Sequence, residues 1–294
     1  MAVLATLAVL AASCGSDSGP VLTVGAGEST QSQVLAAVYA GALARTGART
    51  AVRDGLGDRA AAIAALDADR VVAVGEVNGD LLTALDSGSA ARKPDAVTAA
   101  LNAALPAGLI VGDAADGTDL RPTVVAAATR VAEFPPTLKD LGPRCAGLAV
   151  GVATGPALDP QRAPLDPHRD VVEPLRAVYG CELAEPVPFA DPAELRKALA
   201  EGRIQLGVLS GPPSYLPDGG ADLVALADPD YAFRAAMVLP LLRKGELSEI
   251  QLRKLNYVGG ELTTVDLADL IRQVREDGVA PNEAARAWLD AHAL

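Results

Sequence analysis

The stretch VLTVGAGESTQSQVLAAVYAGALARTG, residues 21–47, decides the fold. Its first eight residues, Val21 to Glu28, form a short apolar run broken by glycine, which reads as a buried strand. The hydroxyl of Ser29 or Thr30 can cap the free N–H groups of a helix that runs through the alanine-rich stretch to a stop at Gly47. A strand feeding straight into a helix is half of a repeating unit in which parallel sheets are covered by helices. The same alternation continues outward. TAVRDGL (50–56) and RVVAVGEV (70–77) read as strands with DRAAAIAALDAD (58–69) as the helix between them, DAVTAALNAALP (95–106) as a further helix, and TVVAAATRVA (123–132) as a buried connecting strand.

A second series starts after PPTLKDLGPRC (135–145), whose prolines mark a crossing. It comprises strand LAVGVA (148–153), helix RDVVEPLRAVYG (169–180), strand ELAEPVPF (182–189), helix DPAELRKALAEG (191–202) and strand IQLGVLS (204–210). SGPPSYLPDGG (210–220) breaks the pattern, and a helix-rich tail then packs back on the first series. The expected architecture is α/β in two lobes, each a mostly parallel sheet with helices on both faces. Residues 1–20 are expected to be a leader and linker, 21–132 with 213–294 a discontinuous lobe one, and 133–212 lobe two.

Half of the 294 residues are apolar and 21% are charged, enough to bury a sizeable core. A net charge of -12 without a basic patch argues against a grip on nucleic acid or on an anionic lipid surface. His168 and His292 are the two histidines, one in a proline-rich loop and one near the C-terminus, which disfavours a histidine-based triad or a two-histidine metal site. The sequence lacks GxSxG, P-loop and HExxH motifs, and TVGAGES lacks the third glycine of a dinucleotide turn. The expectation is a protein that is not an enzyme and uses no cofactor or metal.

MAVLATLAVLAAS (1–13) is apolar but shorter than the ~20 residues a membrane-spanning helix needs, so it reads as the core of a signal peptide. Ala11, Ala12 and Ser13 directly before Cys14 resemble the lipobox of bacterial lipoproteins. That resemblance implies lipidation of Cys14 and an exported protein anchored to the outer face of the cytoplasmic membrane. Cys145 and Cys181 remain as an even pair in an oxidising space. They precede two neighbouring strands, whose entrances lie side by side in a right-handed βαβ unit. A disulfide is one expectation and two inert buried thiols the other.

Several motifs in a shared order carry a further resemblance: GESTQSQVLAAVYAGALARTG, VGEVNGDLL, LIVGDAADG, TLKDL, VYG, ALADPDYAF with VLPLLRK, and APNEAARAWL. Over nearly all of residues 21–294 the chain resembles the substrate-binding components of glycine betaine, choline and proline-betaine ABC importers. The resemblance implies a type II periplasmic-binding fold, a monomer that captures a small molecule between its lobes, and ABC permease subunits as partners. By position it places the ligand at Glu28, Ser29, Thr30, Glu76, Val77, Asn78, Asp80, Thr123 and Val124 in lobe one. In lobe two it points to Thr154, Ser210, Gly211 and Ser214, with Tyr215 and Tyr231 near the crossings. Each position also has a structural alternative, such as a helix cap for Ser29 and Thr30 or a packed ring for Tyr231.

One departure from the family bears on the ligand. A quaternary ammonium has no N–H to donate, so its receptors hold it against the faces of aromatic rings. Where the family carries tyrosines this sequence has Val77, Val124 and Ala236, and a threonine position of the turn has become Asp80. ATGPALDPQRAPLDP (153–167) contains no aromatic residue. The expected ligand is therefore a hydroxyl-rich or flat polar aromatic compound rather than glycine betaine or choline. The alternatives are an osmolyte receptor whose rings lie elsewhere and a scaffold lipoprotein that has kept the fold without transport.

Overall fold

The computed structural model describes residues 19–155 and 162–294. The expected leader, with Cys14 and most of the linker, lies outside the described residues. In chain order the strands are β1 Val21–Gly25, β2 Arg49–Arg53, β3 Ala73–Val77, β4 Leu109–Val111, β5 Thr123–Ala127, β6 Val150–Ala153, β7 Val187–Phe189, β8 Leu206–Leu209, β9 Leu223–Ala225 and β10 Val238–Arg243. The helices are α1 Thr30–Ala44, α2 Arg59–Asp67, α3 Asn78–Leu85, α4 Pro94–Ala104, α5 Leu138–Leu141, α6 Glu173–Tyr179, α7 Pro192–Ala200, α8 Glu249–Glu261, α9 Thr264–Arg275 and α10 Pro281–Ala291.

Two five-stranded sheets result, in the orders β2-β1-β3-β10-β4 and β7-β6-β8-β5-β9. The pairings make four strands of each sheet run one way, while β10 in the first and β5 in the second run against them. Each reversed strand is the one the chain forms on arriving from the other sheet. The mostly parallel, two-lobed α/β architecture read from the sequence is the one observed.

The boundaries between the halves differ from the expected ones. β5 and β9 lie within the segments assigned to lobe one, yet both pair in the second sheet. An apolar run such as TVVAA suits a buried position in either sheet, so composition alone does not say which one it joins. The tail likewise contains a strand, because β10 sits between β3 and β4. Pro240 obscures it, since proline removes a ladder donor and argues against a central strand. The ladder accommodates the ring because the Pro240 carbonyl still accepts from Gly112 N at 2.9 Å, and Gly112 has no side chain to meet it; a Cβ there would lie 2.7 Å from Pro240 Cγ.

Helix α1 is buried nearly all round, as an evenly apolar helix must be. Ser29 caps it, its Oγ accepting from Ser32 N at 3.1 Å. It packs on β1, β2 and β3 with one side and on α8, α9 and α10 with the other. Alternation along β10 then divides the first half into two cores. Val238 and Leu242 join the α1 side, and Leu239 and Leu241 join Leu66, Leu82 and Leu101 from α2, α3 and α4. Each fully buried leucine contributes about 1.5–3 kcal/mol, so this two-sided burial holds the sheet flat against both helix layers. The second half repeats the scheme around Val124, Val152 and Val208 on one face and Val125, Leu195 and Leu209 on the other.

Cys145 and Cys181 form a disulfide, with Cα atoms 5.3 Å apart. It joins the entrances of the parallel neighbours β6 and β7. Closing this loop adds roughly 3–4 kcal/mol by restricting the unfolded chain. Among the described residues no helix is long and apolar enough to cross a membrane.

Candidate functional site

In open α/β sheets ligands meet the protein at the carboxyl ends of strands. Here the ends of β3 and β8, one from each sheet, are joined by a single side chain. Asp80 lies in the first turn of α3, immediately after β3, and Ser210 immediately follows β8. Between them stands Arg162. Its Nε donates to Asp80 Oδ2 at 2.9 Å, and its Nη2 lies 2.8 Å from the same oxygen. Its Nη1 donates to the Leu120 carbonyl at 2.8 Å and to the Ser210 carbonyl. The guanidinium side chain is 14% exposed and the carboxylate 26%. A charge-assisted pair at this depth is held by direction as well as by charge.

The other expected positions divide into three groups. Ser210 and Gly211 stand beside the guanidinium with Asp80; a Cβ on Gly211 would lie 3.6 Å from Arg162 Nη1. Several others serve the halves themselves. Ser29 caps α1, and Thr30 follows it half-buried. Glu76 is 3% exposed, and Arg59 Nε donates to both of its carboxylate oxygens at 3.1 Å. Val77 and Val124 are buried in opposite cores, as is Ala236 in the first half. Thr154 stays at the end of β6, its amide donating to Phe189 O at 2.8 Å, while Thr123 donates its hydroxyl to Arg121 O at 3.1 Å and Glu28 is exposed. Asn78 exchanges hydrogen bonds with Met237 through its amide N–H and its Oδ1, at 2.9 and 2.8 Å. Its Nδ2 is buried without a partner among the described residues.

The third group lies at the crossings. Ser214 is half-buried, and Tyr215 enters the first core, where its carbonyl accepts from Arg275 Nη1 at 2.9 Å. Tyr231 has a left-handed backbone, φ 60°, and the Arg121 guanidinium carbon stands 4.3 Å from its ring centroid. Non-glycine residues hold such a conformation only where their surroundings fix it. Those surroundings are built on Asp228. This carboxylate accepts from Ala232 N at 2.9 Å, Phe233 N at 3.0 Å, Arg121 Nη1 at 3.2 Å and the Tyr179 hydroxyl. Arg121 in turn donates from Nε and Nη2 to Asp119 at 2.8 and 2.6 Å. Burial, and then the hydrogen bond to Asp228, push the Tyr179 phenol well above its usual 10.0.

Sequence reasoning singled out Asp80 but missed Arg162, Arg121 and Asp228. The signal for Arg162 was present in Asp80 itself, since a partly buried carboxylate calls for a cation. Two open pockets, of ≈ 740 Å³ between α1, β2 and α10 and of ≈ 440 Å³ between α4, β4 and α8, are lined by none of the expected site residues. Among the described residues no cluster of acidic, histidine or cysteine side chains could hold a metal ion.

Residues 161–291 match the family described as the substrate-binding domain of ABC-type glycine betaine transport systems. The match lies in the C-terminal half of the chain. The family is one of extracytoplasmic receptors that hand a small molecule to an importer, not a class of enzymes. No curated protein matches the sequence. Among solved structures, a glycine betaine/carnitine/choline ABC transporter protein is similar at a TM-score of 0.75 and 16% identity, covering 93% of this chain and 98% of that one. Apo YehZ from Escherichia coli gives 0.73 and 17%, covering 93% and 99%. Lactococcal OpuAC, closed on glycine betaine, gives 0.52 and 14%, covering 94% and 97%. At these identities the likeness is one of fold, and it spans both halves of the chain.

Proposed function

We propose that this protein is the lipid-anchored, extracytoplasmic receptor of an ABC importer and that it captures a small, hydroxyl-rich or flat polar aromatic solute rather than glycine betaine or choline. The observation that carries the reading is the surroundings of Asp80. Where strand ends from both sheets converge, the guanidinium is held by one carboxylate and two backbone carbonyls, with no ring face among its partners in the described residues. Val77, Val124 and Ala236, which stand where the family carries tyrosines, are packed in the cores. Of the rings near the crossings, Tyr231 is covered by Arg121 and Tyr215 is buried. A solute with hydroxyl or amide groups can share hydrogen bonds with Asp80 and Ser210; a methylated nitrogen has none to share. An anchor through Cys14 would leave the domain at the membrane surface, beside permease subunits.

Titration calorimetry with glycine betaine and choline tests the ligand class. No heat of binding is expected for either at micromolar concentration, and micromolar affinity for one of them would sink the proposal. One observation favours a second reading, a scaffold without a ligand: the protein's own arginine already bridges the crevice. Genes for a permease and an ATPase beside this one would decide for uptake.

A further inference from the structure

We propose that Arg162 is the resident cation of the crevice: it occupies the one carboxylate that a cationic solute would need and sets the specificity of the site by doing so. The proposal rests on the reading of the crevice as the solute site. Asp80 is half-buried in the first turn of α3, and the only cation within ion-pair distance of it among the described residues is Arg162. The same guanidinium reaches three separate segments: α3 of the first half through Asp80, the first crossing through Leu120, and the end of β8 through Ser210. Four contacts use most of the five N–H groups that an arginine can donate. The side chain therefore fills the space as a hydrogen-bonded plug, not merely as a nearby charge.

Two consequences follow from this geometry. A quaternary ammonium offers Asp80 only charge, and it would have to displace a cation that offers charge and directed N–H groups together, so it competes poorly. A solute that keeps the pair intact, accepting from the remaining guanidinium N–H or donating to the free Asp80 oxygen, has no such contest. The pair also ties the two halves together before any solute arrives. Removing either partner leaves the other charge half-buried and alone, which favours separation of the halves so that water can reach it.

Small-angle X-ray scattering of the solute-free protein tests this directly with Arg162→Ala and Asp80→Asn. The second variant is nearly isosteric and guards against a folding defect in the first; far-ultraviolet circular dichroism checks both. Each variant is expected to be wider than the unaltered protein, with a radius of gyration larger by about 1 Å, the scale of a hinge opening in a chain of this size. Millimolar guanidinium chloride, far below denaturing levels, is then expected to contract Arg162→Ala by refilling the vacated position. It should leave Asp80→Asn unchanged, and tetramethylammonium chloride should contract neither. Variants as compact as the unaltered protein would overturn the proposal, and so would contraction of Arg162→Ala by tetramethylammonium as readily as by guanidinium. These readings involve no solute, so a wrong solute class would leave them unmoved and would appear only in the calorimetric titration.

Discussion

Two arginine–aspartate pairs in this molecule are nearly equal in chemistry and unequal in consequence. Arg121 with Asp228 and Arg162 with Asp80 both join a guanidinium that is 13–14% exposed to a carboxylate across a long stretch of sequence, and Arg121 also holds its neighbour Asp119. Asp228, however, also accepts two backbone N–H groups and a tyrosine hydroxyl from the chain around the second crossing. Its surroundings are part of one folded corner. Among the described residues Asp80 has a single partner side chain, and that partner belongs to the other half. The difference teaches that what an ion pair does depends on how many independently held bodies it joins. One pair fixes the shape of a crossing, and the other is a contact that can be exchanged.

The comparison breaks most readily at Asp228. Asp228→Ala removes the acceptor of two backbone donors and of the Tyr179 hydroxyl and leaves Arg121 with Asp119 alone, so a loss of about 3–5 kcal/mol in denaturant unfolding is expected. Asp80→Asn, by contrast, should cost no more than about 1 kcal/mol in the same experiment, because an opened crevice lets water solvate Arg162. Equal losses at the two sites would erase the distinction.

Removal of the Cys145–Cys181 bridge by paired Cys→Ala substitution should cost roughly 3–4 kcal/mol. Because the disulfide lies wholly within the second half, hydrogen exchange should quicken around β6 and β7 while the buried amides of α1 stay protected. Uniform quickening would mean that the two halves unfold as one body.

Tyr179→Phe gives a smaller effect, about 1–2 kcal/mol, since it deletes hydrogen bonds to Asp228 and from Asp230 N but little packing. It also carries a pH signature. The folded-state value of the Tyr179 phenol is raised above the unfolded 10.0, so its contribution is complete below about pH 10 and is lost as the pH rises towards the folded value. The unaltered protein should lose stability in that alkaline window, and Tyr179→Phe should lose less. Tyr39, buried within α1 and likewise raised by burial, titrates in the same direction and provides the internal control.

Most of the fold was legible in the sequence because local signals agreed with global ones. Ser29, the even apolarity of α1 and Gly47 all say the same thing about residues 21–47. Legibility failed where a residue served a long-range partner against its local tendency. Pro240 argues against a strand, yet Gly112 opens the space that admits it to one. Thr123–Ala127 has the composition of either sheet, and only the reversal of the chain at the crossing assigns it to the second. The site was legible on one side only. Asp80 stood out as a carboxylate in place of a neutral residue, whereas Arg162 lies in a segment read for the aromatic rings it lacks. A pair separated by 82 positions has no local period to reveal it.

Native mass spectrometry of the protein gently extracted from its own host is the most direct test of the central claim, that the crevice accepts a small polar solute and rejects methylated ammonium. The account predicts a one-to-one complex whose released molecule carries hydroxyl or amide groups and no quaternary nitrogen. Release of glycine betaine or choline from that complex would contradict it.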